Sequence, residues 1–101
     1  MDQNPHYKRG FHCVQGMIPL IEVSADNVGG LQVVPQTNND ATQDEIIKRY
    51  PWVKNGKSDW VELKFNDPFR GKAMLVECKA GDLIFFDSRT IHGGKIIQPK
   101  A

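Results

Sequence analysis

AGDLIFFDSRTIHGGK, residues 80–95, decides how the rest of the chain is read. A Gly-Asp turn leads into four apolar residues, Leu83 to Phe86, and the stretch then reaches His92 and two glycines. An apolar run bounded by turn residues reads as a strand packed against an opposite sheet. Such a strand delivers its histidine to the mouth of a jelly-roll barrel, where solvent and small molecules reach it. Gly93 and Gly94 let another molecule approach the backbone closely beside the imidazole. His92 is then either a metal ligand, which needs partners, or a hydrogen-bonded histidine at a strand end.

The remaining segments read mainly as β structure. FHCVQGMIPLIEV (residues 11–23) predicts a strand or a bent pair of strands, with Gly16 and Pro19 arguing against a helix. Residues 24–30 read as a turn, and LQVVP (residues 31–35) as a short strand ended by proline. Thr42 and Glu45 match a capping box, Ile46, Ile47 and Tyr50 share one helical face, and Pro51 stops the helix. Between Pro51 and Gly71 the chain reads as a long insert anchored by Trp52, Trp60 and Phe65. Residues 73–78 and 83–86 are expected as strands joined by a tight Lys-Ala-Gly-Asp turn, and residues 91–97 as a last strand. Short strands, Gly/Pro turns and one short helix in an insert suggest a mainly β sandwich or jelly roll. Only five or six strands are countable where a jelly roll has eight, so one incomplete domain over residues 1–101 is expected, with open strand edges available for self-association.

Composition narrows the function. The chain has 101 residues, 40% hydrophobic and 25% charged, which supports one small core. Thirteen basic residues against twelve acidic ones leave a net charge of +1, so neither a nucleic-acid groove nor a membrane-binding basic surface is expected. The basic residues of HYKRG (residues 6–10) read as a solvated loop. No apolar run approaches the roughly 18 residues a membrane span needs, and the polar start MDQNPHYKRG has no signal-peptide core. Cys13 and Cys78 are too few for a disulfide framework; both read as small buried hydrophobes in a reduced, cytoplasmic setting.

Two blocks carry a family likeness. DNVGGLQVVPQT (residues 26–37) and GDLIFFDSRTIHGG (residues 81–94) resemble two segments of the phytanoyl-CoA dioxygenase-like proteins. In that family the first joins two barrel strands, and the second is the strand of the distal histidine. The resemblance covers nearly the whole chain and implies a double-stranded β-helix, of which this chain holds part. It also implies an Fe(II)/2-oxoglutarate-dependent hydroxylase acting on a small-molecule substrate. The family commonly continues Val-Val-Pro with Gly-Ser-His, whereas this chain has Gln36-Thr37-Asn38.

The resemblance also implies where the partners of His92 lie. The family holds iron with two histidines and one carboxylate, the first two ligands coming as His-x-Asp on an early strand. Asp2 stands at the carboxylate position, 90 positions before His92, and the motif's histidine would fall one residue before Met1. The expectation is a truncated chain whose parent reads His-Met-Asp and whose own activity is impaired. Against it stands the reading of Asp2 as a frayed terminal aspartate. His6 and His12 compete for the empty ligand position. For 2-oxoglutarate the family uses an arginine about ten residues beyond the distal histidine. Here nine residues follow His92, none is arginine, and Lys100 is the cation near that place. Gln15 is a second candidate for holding the cosubstrate, or a buried glutamine with its hydrogen bonds satisfied. Two other functions fit the same pattern: a non-catalytic jelly-roll module that binds a small ligand, and a cupin-type metal enzyme. The cupin would need a cluster of histidines and a glutamate near the second strand, which this chain lacks.

Overall fold

A computed structural model describes residues 1–25 and 29–95. Five strands and one α-helix follow in the order β1 (Val14–Met17), β2 (Gly30–Val33), α1 (Asp40–Arg49), β3 (Met74–Leu75), β4 (Ile84–Asp87) and β5 (His92–Lys95). Two 3₁₀ turns, Pro51–Lys54 and Pro68–Lys72, sit in the insert. Strands β1 and β4 form an antiparallel pair, and β3, β2 and β5 form a three-stranded antiparallel sheet in that order. The mainly β reading holds in its coarse form, although helical turns occupy about as much of the chain as strands. These two sheets fall short of the eight strands of a jelly roll.

Each local departure from expectation has a physical reason. The run at residues 11–23 keeps only β1 as a ladder, plus a bridge from Val23 to Cys78, because Pro19 removes a donor in the middle. The Lys-Ala-Gly-Asp turn forms as expected. Asp82 N donates to Lys79 O at 3.1 Å, Lys79 N donates to the Asp82 carboxylate at 2.7 Å, and Gly81 takes φ +86°. Gly30 is required twice over: its φ is +126°, and a Cβ there would sit 2.6 Å from Val23 Cγ1. Residues 26–28 of the expected turn, residues 96 and 97 of the expected last strand, and Lys100 lie outside the described residues.

The helix starts three residues earlier than the capping box implies. Asn39 is the N-cap, its Oδ1 accepting from Thr42 N at 2.8 Å, while Glu45 pairs with Arg49 one turn on. Ile46 and Tyr50 are buried as the periodicity required, and Ile47 packs beside them. They join Met1, Val34, Val53, Val61, Leu63 and Ile91 in one core under the insert. The expected aromatic anchors are wrong. Trp52, Trp60 and Phe65 are exposed, Phe65 by 90%, and the insert is held instead by Val53, Val61, Leu63 and a buried carboxylate. Cys13 is likewise exposed rather than buried, and Cys78 is half-buried.

That carboxylate is Asp67, whose side chain is only 1% exposed. It accepts from Tyr50 Oη at 2.5 Å, Arg49 Nη2 at 2.9 Å and Nε at 3.2 Å, and Phe69 N at 2.9 Å. Tyr50 Oη in turn accepts from Lys64 N at 2.9 Å, so one cluster closes the insert onto the end of α1. Burial acts to raise the Asp67 carboxyl, but the donors from Tyr50, Phe69 and Arg49 outweigh it and hold it below the ordinary range. Asp59, through its hydrogen bond from Lys8, and Asp87, where Arg89 overcomes burial, are lowered as well.

Two predictions follow from this packing. Depressed carboxyls stabilise the folded state above their unfolded value of about 3.9, and that contribution is lost as pH falls through the lower folded values. Chemical denaturation should therefore give a stability that declines below about pH 4. Asp67→Asn should cost roughly 2–4 kcal/mol at neutral pH and flatten the acid decline; an unchanged midpoint would contradict the role of this cluster. Gln36 adopts φ +62°, the left-handed region that favours glycine, at the position where the resembling family carries one. Gln36→Gly should raise stability by roughly 0.5–1 kcal/mol, read as a higher denaturation midpoint.

Candidate functional site

The first five residues are built into the interior. Met1 and Val61 exchange backbone hydrogen bonds, Val61 N to Met1 O at 3.0 Å and Met1 N to Val61 O at 3.5 Å. Gln3 is buried, and its Nε2 donates to Lys8 O and Gly10 O, both at 2.7 Å. Its Oε1 accepts from the buried Ser88 Oγ at 2.7 Å. Asn4 Nδ2 lies within hydrogen-bonding range of the carbonyls of Val53, Gly56 and Ser58, and its Oδ1 accepts from the amides of His6 and Tyr7. Between these anchors Asp2 N donates to Ser88 O at 3.3 Å, at the end of β4. Asp2 is therefore not a frayed residue.

His92 is placed by a separate set of bonds. Thr37 Oγ1 donates to Val34 O at 2.7 Å and accepts from Ile91 N at 3.0 Å, while Val34 N donates to Ile91 O at 2.8 Å. This locks the start of β5 to the end of β2. His92 Nδ1 lies 2.9 Å from Thr90 O. A carbonyl only accepts, so Nδ1 carries the proton there.

These two constructions meet. His92 Nε2 stands 2.9 Å from Asp2 Oδ2. With Nδ1 holding its proton, Nε2 faces a carboxylate with a lone pair, and such a pair is stable only with a proton or a cation between them. Gln15 and Phe86 are directly opposite each other in the β1–β4 register and so share one face of that pair. Gln15 Nε2 donates to Asp2 Oδ2 at 3.2 Å, and the Phe86 ring packs against the imidazole with centroids 4.7 Å apart. Gln15 Oε1 is buried with no partner among the described residues. The amide that was a candidate for the cosubstrate is thus committed on one side to Asp2.

A cavity of about 400 Å³ opens beside the pair, lined by Asp2, His92, Gly93 and Gly94 among others. A Cβ at Gly93 or Gly94 would meet no atom within 4 Å, so what both glycines provide is open space. His6 and His12 do not line it; both are exposed, His6 edge-on to Tyr7 and His12 in the field of Asp59. Two ligands at right angles on one ion, each about 2.1 Å away, stand about 3.0 Å apart, which the Asp2–His92 separation of 2.9 Å matches. The donor pair fits a divalent cation, but among the described residues no group of three or more His, Cys, Asp or Glu side chains is placed to hold one. Arg70 and Trp60 also line the cavity; Arg70 escaped the sequence reading and Trp60 was expected as a buried anchor, because nothing in residues 60–70 marks which side chains reach the cavity.

No helix among the described residues is long and apolar enough to cross a membrane. Comparison with curated proteins and with solved structures returned no match. The family model described as phytanoyl-CoA dioxygenase (PhyH) matches residues 2–97, a span that holds Asp2, Gln15 and His92 together. With nearly all of its length matched, the chain belongs to the phytanoyl-CoA dioxygenase family.

Proposed function

We propose that the chain carries an Fe(II)/2-oxoglutarate-dependent hydroxylase site on part of a double-stranded β-helix, with Asp2 and His92 as iron ligands. The observation that carries this is the 2.9 Å approach of His92 Nε2 to Asp2 Oδ2, two side chains 90 positions apart with no salt-bridge role elsewhere among the described residues. Iron with bound 2-oxoglutarate would supply, with O₂, the hydroxylation of an unactivated C–H bond on a small-molecule substrate. The chain's own residues do the holding. Thr90 O fixes the imidazole tautomer, Gln15 steadies the carboxylate, and Gly93 and Gly94 leave the space in front of the pair empty. Self-association through the open strand edges belongs to the same reading.

Two ligands give weak metal binding and little turnover, so this reading includes impaired activity for the 101-residue chain. The backbone exchange between Met1 and Val61 is that of an extended segment, so a residue directly before Met1 would project on the same side as Asp2. A histidine there completes two histidines and a carboxylate. The competing reading is a non-catalytic module that binds a small ligand in the cavity beside Asp2 and His92.

Anaerobic Fe(II) titration separates the two. The account predicts weak binding that Asp2→Ala and His92→Ala each reduce by more than about tenfold, and that a histidine added before Met1 tightens by at least as much. Binding indifferent to both substitutions would leave the ligand module standing, and rapid 2-oxoglutarate turnover by the unextended chain would contradict the two-ligand account.

A further inference from the structure

Four arginines occur in the chain, and three are neutralised. Arg9 pairs with Asp44 at 2.7 Å, Arg49 with Asp67 at 2.9 Å, and Arg89 with Asp87 at 2.8 Å. Arg70 differs. No carboxylate among the described residues comes within ion-pair range of it, yet its guanidinium is held in place, Nε and Nη2 both donating to Leu63 O at 3.1 and 2.5 Å. One carbonyl thus orients the plane while Nη1 and a second Nη2 hydrogen remain without a protein acceptor among the described residues. That free edge is the part of a guanidinium that matches a carboxylate with two parallel hydrogen bonds.

Arg70 lines the same cavity as Asp2 and His92. The rest of its lining is mixed: Val34, Val61, Leu63 and Ile91 come from the apolar core, Gln32 is polar, and Trp60 stands at the cavity 65% exposed. A volume of about 400 Å³ lies within the range of small-molecule sites. An indole exposed to that extent on a cavity wall offers flat apolar surface to a ligand. Glu62 also lines the cavity and makes no ion pair among the described residues, so its charge disfavours a ligand with a second acidic group.

We propose that this cavity takes a small organic acid with one carboxylate and a compact apolar body, the carboxylate seated on Arg70 and the body against Leu63, Val34 and Trp60. Only the naming of this acid as the substrate rests on the oxygenase reading; its binding does not. Arg70 fixes one end of the molecule and leaves the body extending toward Asp2 and His92. A neutral molecule of the same shape has no counterpart for the guanidinium, and without the metal 2-oxoglutarate, whose second carboxylate meets the charge of Glu62, binds less well than a monocarboxylate.

The test is calorimetric titration of the metal-free chain at low ionic strength with cyclohexanecarboxylate, cyclohexanecarboxamide and 2-oxoglutarate. The carboxylate should bind at least about tenfold more tightly than the amide, and Arg70→Gln should abolish that preference. Arg70→Lys, which keeps the charge but loses the fork, should retain part of it. Equal binding of acid and amide, no binding of either, or a preference that survives Arg70→Gln would overturn the proposal. Tighter binding of 2-oxoglutarate through Arg70 would assign the arginine to the cosubstrate and overturn it too. If Arg70→Gln fails to fold, the acid–amide contrast in the unaltered chain and the Arg70→Lys result decide it. Because no metal is present, failure here leaves the iron reading intact, and failure of the iron titration leaves this one intact.

Discussion

Two buried amides hold the structure's functional end together. Gln3 and Asn4 are each 1% exposed, and an amide at that depth is tolerated only when its donors and acceptors are matched. Gln3 meets this by spanning from the Lys8–Gly10 turn to Ser88, and Asn4 by gathering the carbonyls of the insert. Satisfying both leaves one path for the backbone between Met1 and Pro5, and that path carries Asp2 to the end of β4. The carboxylate is placed by its neighbours' hydrogen bonds more than by its own.

The same logic operates on the other side of the site. Thr37 joins the end of β2 to the start of β5, so His92 leaves the sheet at a fixed point, and the Thr90 carbonyl sets which nitrogen faces Asp2. Gln36, one residue earlier, takes a backbone conformation that suits glycine, so the turn carrying Thr37 is formed at some conformational cost. The site lies between the β1–β4 pair, which contributes Gln15 and Phe86, and the edge strand β5, which contributes His92. A bond network of this kind orders the pair beside a core cluster of eight buried apolar side chains among the described residues.

How much of this was legible in the sequence depends on how local the cause is. The strand before His92, the Gly81 turn and the buried face of α1 are marked by an apolar run, turn chemistry and a helical period within a few residues, and all three were readable, although Leu83 and Phe85 of that run are exposed and not packed against a sheet. The pairing of Asp2 with His92 was found only through resemblance, since nothing in residues 1–5 announces a buried segment. Gln3 and Asn4 look like solvated loop because their partners are as far away as Ser88, 85 positions on. The expected anchors Trp52, Trp60 and Phe65 failed for a related reason: large aromatics are found both inside and at surfaces, and only the tertiary path of the insert decides which. Asn39 did carry a readable signal, three positions before Thr42, but the capping-box pattern one turn later matched more strongly. The short ladders gave no local sign of how few residues in each apolar run would pair.

The central proposal is that Asp2 and His92 are two of the three protein ligands of a metal site. The most direct measurement is the ¹⁵N spectrum of the three imidazole rings before and after a diamagnetic divalent ion such as Zn(II) is added. The account predicts that His92 Nε2 alone shifts, that Nδ1 keeps its proton and its bond to Thr90 O, and that His6 and His12 stay unchanged. A response at His6 or His12, or none at His92, would contradict it.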